Sequence, residues 1–139
     1  MDLFSVSSSG MEAQRVRMSI IASNLANVET TRTASGGAYR RKDIVFSAEQ
    51  GFGGVLQNAV DAQSPGVKVA GIIEDNRPLK YAYEPSHPDA DEKGYVAYPN
   101  INVAEEMVNM ITASRSYEAN VSAFKATRDM AMKALEIGQ

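Results

Sequence analysis

The chain has 139 residues, a formal net charge of -3 at pH 7 and no cysteine. This mild charge argues against nucleic acid or an anionic membrane as a partner, and the missing cysteine excludes disulfides and thiolate metal sites. Nineteen residues are alanine and only five are leucine, so large apolar side chains for one compact core are few.

The N-terminal segment, residues 1–30, is predicted to be a helix with one narrow apolar stripe. Apolar side chains recur every seven residues, and a second seam position is filled in the later half. Spacings of three and four residues are typical of a helix that packs along one stripe. The stripe consists of Phe4, Met11, Met18, Ile21, Leu25 and Val28.

Two asparagines, Asn24 and Asn27, lie where this helical pattern gives way to threonines in SNLANVETTRT. Asparagine favours helix ends, and Asn27 is suited to a left-handed backbone conformation. We therefore expect ordinary helix capping. A sharper hypothesis is that both side chains satisfy polar groups of the backbone or of a neighbouring helix in a crowded assembly, where water is scarce.

The middle segment, residues 31–100, is predicted to be irregular and to contain short strands. TRTASGG at 31–37 is expected to be a flexible link, and 39–46 a strand. Alternation in 67–75 and 79–83, separated by a turn at 76–78, predicts a β-hairpin, and 95–98 a further short strand. These strands are too few for a robust sheet alone.

The C-terminal segment, residues 101–139, is predicted to be a single helix on the order of 50 Å long. Asn102 followed by Glu105 is typical of a capping box, and Gly138 is expected to end the helix. The predicted stripe alternates by four and three residues through about five heptads. It consists of Val103, Met107, Met110, Ser114, Tyr117, Val121, Phe124, Arg128, Ala131 and Leu135.

Together these patterns predict an α+β fold in which long N- and C-terminal helices pair as a coiled-coil-like layer beside a small irregular β-containing middle region. The pattern leaves open whether the helices pair parallel or antiparallel. The C-terminal stripe outlasts the N-terminal one, so other chains must cover the remainder. We therefore expect an oligomer, with all seven methionines in the two end segments, where adaptable contact surfaces suit them.

The candidate interface residues follow from these stripes. Asn120 flanks the C-terminal stripe, and a buried asparagine there would set the register between helices. The expected subunit interface consists of Met11, Met18, Ile21, Asn24, Leu25, Asn27, Val28, Met107, Met110, Tyr117, Asn120, Val121, Phe124 and Leu135.

His87, the only histidine, lies among acidic residues, which raises the question of a metal or an acid–base site. Asp89 and Asp91 with Gly94 resemble part of a calcium loop, but Lys93 occupies the third ligand position. We expect a solvated loop, no metal and no cofactor. The short basic run at 40–42 is expected to be the exposed edge of a strand.

The run SNLANVETTRT resembles the signature near the N-terminus of the bacterial flagellar rod and hook proteins. PDADEKGYVAYPN and EEMVNMITASRSYEAN are similar to the short basal-body members of that family. The resemblance covers both ends and residues 79–135; residues 47–75 match least well.

The resemblance implies a structural subunit, not an enzyme, of the proximal rod, where terminal helices stack into a tube that carries motor torque across the periplasm. It implies other copies, neighbouring proximal rod proteins and the adaptor at the rod base as partners. It also implies export through the flagellar type III apparatus, which fits the lack of a cleaved signal peptide and of any apolar stretch long enough for membrane insertion. The alternatives are a soluble coiled-coil adaptor or secretion chaperone, and an enzyme that uses the His87 loop.

Overall fold

The computed structural model describes residues 3–48 and 66–137, which form two helices and four strands. The expected helix end at Gly138 lies outside the described residues. The helices are α1 (Leu3–Ala26) and α2 (Val103–Ile137), and the strands are β1 (Lys42–Ala48), β2 (Val67–Glu74), β3 (Lys80–Tyr83) and β4 (Tyr95–Tyr98). The α+β prediction is therefore confirmed.

Helices α1 and α2 pair antiparallel, which settles the orientation that the sequence left open. The rings of Phe4 and Phe124 meet edge to face with centroids 5.2 Å apart. At the other end of the pair, the side chain of Asn24 donates to Glu106. The start of α1 thus lies beside the later part of α2, and the end of α1 lies beside the start of α2.

Small residues bring the two helices close together. Ala13 and Ala113 are buried, and a Cβ added at Gly10 would lie 2.9 Å from Nδ2 of Asn120. Gln14 lies on the same part of α1, and its Oε1 is buried without a hydrogen-bond partner among the described residues. An unsatisfied group of this kind costs about 1–3 kcal/mol, so the N-terminal half of the pairing is weak.

Helix α2 continues well beyond the start of α1. Phe124 packs against Phe4 at the start of α1, and residues 128–137 beyond it are all exposed. At 1.5 Å per residue this segment, called here the C-terminal overhang, extends about 15 Å past the helix pair. The expectation that the C-terminal helix outlasts its partner is confirmed.

The strands form two separate two-stranded antiparallel sheets, β1–β2 and β3–β4. The predicted hairpin between 67–75 and 79–83 is therefore wrong. Lys42 pairs with Glu74 and Lys80 with Tyr98, so β2 pairs with the strand before it and β3 with the strand after it, and not with each other. Alternation identifies a strand but not its partner, because register and partner depend on which face is buried against the rest of the fold.

The buried face of the β3–β4 sheet is not the face that carries Tyr81 and Tyr83, although alternating large aromatic residues suggest a buried face. Ala82 pairs with Val96, and Val96 is completely buried. The alternating Tyr81 and Tyr83 are instead 67% and 65% exposed. These two large aromatic side chains thus lie on the exposed face of the sheet, and Val96 lies on the buried one.

Residues 31–37, expected to be a flexible link, form a tight turn. The Thr33 N–H donates to the Gly37 carbonyl at 2.9 Å, and the Gly36 N–H donates to the Thr33 carbonyl at 3.0 Å. Gly36 and Gly37 both have positive φ. No other kind of residue in the described part of the chain has positive φ, so Asn27 does not adopt the left-handed conformation to which asparagine is suited.

Gly94 and Gly36 offer a matched test of backbone strain and packing. Both have φ above +80°. An added Cβ at Gly94 would lie 2.9 Å from Cε2 of Tyr83, whereas an added Cβ at Gly36 would have no neighbouring atom within 4 Å among the described residues. Alanine at Gly36 should cost about 1–2 kcal/mol from backbone strain, and alanine at Gly94 about 1–3 kcal/mol more from the clash. Urea unfolding followed by near-ultraviolet circular dichroism measures both; equal losses would contradict the packing argument.

Candidate assembly site

Asn24 joins the end of α1 to the start of β1. The Asp75 N–H donates to the Arg41 carbonyl, so the alternate residue Lys42 directs its backbone polar groups away from β2. The Asn24 side chain hydrogen-bonds to both of these Lys42 backbone groups. Its Oδ1 accepts the Lys42 N–H at 2.9 Å, and its Nδ2 donates to the Lys42 carbonyl at 2.8 Å. The carboxamide thus takes the place of a third strand at this position.

Glu106 connects the same point to the start of α2. Its side chain is 1% exposed, and it accepts from Asn24 Nδ2 at 3.2 Å and from Arg41 Nε at 2.8 Å. The Tyr39 hydroxyl completes the group by donating to Oδ1 of Asn24 at 3.1 Å. We call Asn24, Tyr39, Arg41 and Glu106, with the Lys42 backbone, the polar cluster.

The charges of the polar cluster are balanced locally. Burial lowers the pKa of the Arg41 guanidinium, but hydrogen bonds to Glu106 and Asp43 outweigh burial and leave that pKa above its ordinary value. Burial raises the pKa of Asp43, but hydrogen bonds from Arg41 and the Ile44 N–H lower it below its ordinary value. Arg41 is thus held as a cation between two carboxylates.

Asn27 caps the end of α1 within its own chain. Its Nδ2 donates to the Ser23 carbonyl at 2.8 Å, and its Oδ1 accepts from the Thr30 hydroxyl at 3.1 Å. Asn24 and Asn27 therefore do satisfy backbone and helix polar groups, but these groups belong to the same subunit.

Sequence reasoning missed most of the polar cluster. The basic run at 40–42 was expected to be an exposed strand edge, yet the side chain of Arg41 is only 12% exposed. Glu106 was missed because the stripe was traced through large apolar side chains, and it therefore includes Met107 instead of Glu106. The available signal was a charged residue three positions before Asn109 and seven before Ala113, and so on one helix face with them.

The predicted interface residues are divided among three environments. Ile21 and Asn24 are buried inside the subunit, and Met107 and Leu135 are exposed, with 53% and 74% of their surfaces accessible. The others are half-buried along or beside the helix pair: Met11, Met18, Leu25, Asn27, Val28, Met110, Tyr117, Asn120, Val121 and Phe124.

Exposed apolar side chains outnumber buried ones in the described residues. Six hydrophobic residues are buried, whereas fifteen large ones are exposed. On α2 they lie in two groups, one near its start and one on the C-terminal overhang. The first group is Val103, Met107, Val108 and Ile111; the second is Met130, Met132, Leu135 and Ile137.

The loop around His87 is organised by its own turns. Nδ1 of His87 accepts the Asp89 N–H at 3.1 Å, and Oδ1 of Asp91 accepts the N–H groups of Lys93 and Tyr95. Within residues 3–48 and 66–137, no three histidine or acidic side chains gather as a group able to hold a metal ion. Neither described helix is long and apolar enough to cross a membrane.

Comparison with known proteins matches both ends of the chain to flagellar families. Residues 4–32 match the family "Flagella basal body rod protein", and residues 92–137 match "Flagellar basal body rod FlgEFG protein C-terminal". These ranges contain α1 except for its first residue and the whole of α2. The matched segments are therefore the paired helices.

Curated relatives match along the whole chain. The flagellar basal-body rod protein FlgC of Borreliella burgdorferi is 45% identical, with 100% of this chain and 99% of the relative covered. The FlgC of Bacillus subtilis is 43% identical, with 96% and 95% covered. The FlgC of Escherichia coli O6:H1 is 42% identical, with 100% and 98% covered.

Replacing Asn24 and Asn27 separately should distinguish the polar cluster from simple capping. Asn24→Ala leaves the Lys42 N–H and carbonyl unpaired and deprives Glu106 of one partner, so we expect a loss of about 2–4 kcal/mol of unfolding free energy. The control Asn27→Ala removes only the local contacts with the Ser23 carbonyl and the Thr30 hydroxyl and should cost about 1 kcal/mol. Urea unfolding measures both.

In cells, the double variant should remain soluble but impair rod assembly, as scored by swimming and by the yield of basal bodies. Similar small losses for the two single variants, or normal swimming of the double variant, would contradict the role of the cluster.

Acid should weaken the Arg41–Asp43 pair. Because the folded-state pKa of Asp43 is lowered, its contribution is present above the ordinary carboxylate pKa of about 3.9 and is lost as pH falls through the folded value. We expect the urea midpoint to fall more between pH 7 and pH 3 in the wild type than in Asp43→Asn. An equal fall in both would show that this pair contributes nothing.

Proposed function

The chain belongs to the FlgC family of flagellar basal-body rod proteins, and from that membership we propose that it forms the proximal rod as one subunit of a helical tube. It is a structural subunit of the basal-body rod, and its relatives are named for this non-enzymatic role. The tube transmits motor torque across the periplasm, which requires rigid contacts between neighbouring subunits.

The observation that supports the tube most directly is the C-terminal overhang. Met130, Met132, Leu135 and Ile137 are between 54% and 86% exposed, on a helix segment that α1 does not reach. Covering a large apolar side chain fully contributes about 1.5–3 kcal/mol. Contacts with neighbouring subunits at this segment therefore offer several kcal/mol to assembly and none to the isolated fold.

The exposed group at the start of α2 provides a second contact area. Met107 and Ile111 lie one helical turn apart, and Val108 beside them is 62% exposed. Methionine is flexible and adapts to surfaces of different shape. A subunit that must contact both its own copies and different rod proteins benefits from such side chains.

The predicted interface residues take different parts in this proposal. Met107 and Leu135 contact neighbouring subunits directly. The half-buried residues of the helix pair contact neighbouring subunits through the exposed parts of their side chains. The buried Ile21 and Asn24 act indirectly by holding α1 against α2. The assembly partners are other copies, neighbouring proximal rod proteins and the adaptor at the rod base.

The proposed location is the periplasmic rod, reached through the flagellar type III export apparatus without a cleaved signal peptide. Family membership supports this route, and the small number of buried apolar residues in the described chain fits it. A chain with a weakly held core is readily kept unfolded for export and becomes ordered when its neighbours cover it.

A charge placed on the C-terminal overhang should block assembly without unfolding the subunit. Leu135→Glu changes a side chain that is 74% exposed, so we expect the unfolding free energy to change by less than about 0.5 kcal/mol. Swimming and the recovery of basal bodies should be lost. The control Glu136→Gln changes the adjacent exposed residue and should swim normally; normal swimming of Leu135→Glu would contradict the proposal.

Trypsin cleavage of the C-terminal overhang should differ between the purified subunit and the assembled rod. Trypsin cleaves after exposed basic residues, and Arg128 and Lys133 are exposed on the C-terminal overhang. In the purified subunit we expect early cleavage there and weak helicity at both chain ends by circular dichroism. In isolated basal bodies these sites should be protected, and a purified subunit that resists cleavage at both ends would contradict assembly-dependent order.

A further inference from the structure

One face of the β3–β4 sheet carries three exposed tyrosines. Tyr83 pairs with Tyr95, and Tyr81 lies two residues before Tyr83 on the same strand, so all three side chains lie on one face. They are 67%, 65% and 44% exposed for Tyr81, Tyr83 and Tyr95. We call these three residues the tyrosine platform.

The tyrosine platform is held in place before any partner binds. The rings of Tyr83 and Tyr95 meet edge to face at 5.3 Å. Gly94 allows this arrangement, because a Cβ there would lie 2.9 Å from Cε2 of Tyr83 and 3.2 Å from Cβ of Pro85. Rings that are already ordered lose little entropy on binding, and exposed tyrosines of this kind often dominate protein interfaces.

The border of the tyrosine platform is acidic. Residues 84–92, which connect β3 towards β4, contain four carboxylates and no lysine or arginine. Glu84 and Asp91 are exposed, and so is Glu92. A partner that meets these rings must therefore offer positive charge, which also binds favourably over aromatic faces.

The same chain carries a surface with the complementary charge. Residues 32–42 contain four basic residues and no acidic one. Arg41 is paired with Glu106 and Asp43, and Arg32 with Asp89, so Arg40 and Lys42 supply the positive charge of this surface. Next to them is an open cleft of about 440 Å³, called here the basic cleft, whose lining includes Thr33, Gly36, Tyr39, Arg40, Lys42 and Glu74. None of the three platform tyrosines lines this cleft in its own subunit.

We propose that the tyrosine platform of one subunit docks into the basic cleft of a second copy of this chain. Tyr81 and Tyr83 enter the cleft beside Arg40 and Lys42, and Glu84, Asp91 and Glu92 of the acidic border face these two cations. Platform and cleft are different surfaces, so the contact is head to tail and can propagate around a ring or along a helix. The inference rests on the proposed rod function, which places copies side by side.

A photo-crosslinking residue at Tyr81 tests the contact in assembled rods. Benzoylphenylalanine replaces Tyr81 in the full-length chain, cells are irradiated, and adducts in isolated basal bodies are mapped by peptide mass spectrometry. We expect a dimer of this chain joined within residues 32–42. The same label at Lys68, an exposed residue of β2, serves as the control and should not give that adduct.

A charge change tests the electrostatic part. Arg40→Glu should lower the yield of the Tyr81 adduct about fivefold, since an exposed cation–aromatic contact contributes about 1 kcal/mol. Arg115→Glu, an exposed substitution on α2, should leave the yield unchanged. If the labelled chain does not assemble, oxidation of a chain carrying Ser35→Cys and Glu92→Cys gives the answer with the tyrosines intact, because the native chain has no cysteine.

The outcomes separate this inference from the proposed function. Adducts to other rod proteins, to glycan or to other parts of this chain overturn the docking inference, as does the absence of any adduct or disulfide-linked dimer in basal bodies that contain the chain. Absence of the wild-type chain from isolated basal bodies overturns the proposed function, and this inference with it.

Discussion

The fold depends on the burial of one carboxylate, Glu106, between α1 and β1. A charge removed from water costs several kcal/mol unless it is paired and hydrogen-bonded, and Arg41 and Asn24 supply that pairing from two other segments. The three side chains meet only when the helices pair in one register and β1 docks at their junction. A shifted register would bury Glu106 without a partner, so the cluster specifies the arrangement more than it stabilises it.

The remainder of the helix pair is built for close approach more than for strong cohesion. Ala13 and Ala113 are buried, and Gly10 lies against Asn120, so the helices approach closely but cover little apolar area. The exposed large apolar side chains of α2 lie near its start or on the C-terminal overhang beyond α1. A subunit built in this way holds its shape locally and leaves most of its adhesive surface for its neighbours, which is what a polymerising rod protein requires.

The β region is stabilised by side chains that stand in for missing strands. A two-stranded sheet is marginal alone, and its open edges invite pairing with other chains. On β1, Asn24 occupies the backbone groups of Lys42, and Asp43 accepts the N–H of Ile44. On the other sheet, Val96 is buried beneath a face of exposed tyrosines, so the region is anchored through one side and available to partners through the other.

The sequence by itself determined the two terminal helices, the excess length of the second one and the existence of short strands between them. These features follow from local periodicity, capping residues and turn residues. Only the tertiary structure decided the antiparallel orientation, the partners of β1 and β3, and the burial of Glu106 and Arg41. Such features depend on contacts between residues 12 to 120 positions apart, and a pattern of apolar residues carries no information about which distant polar groups will satisfy one another.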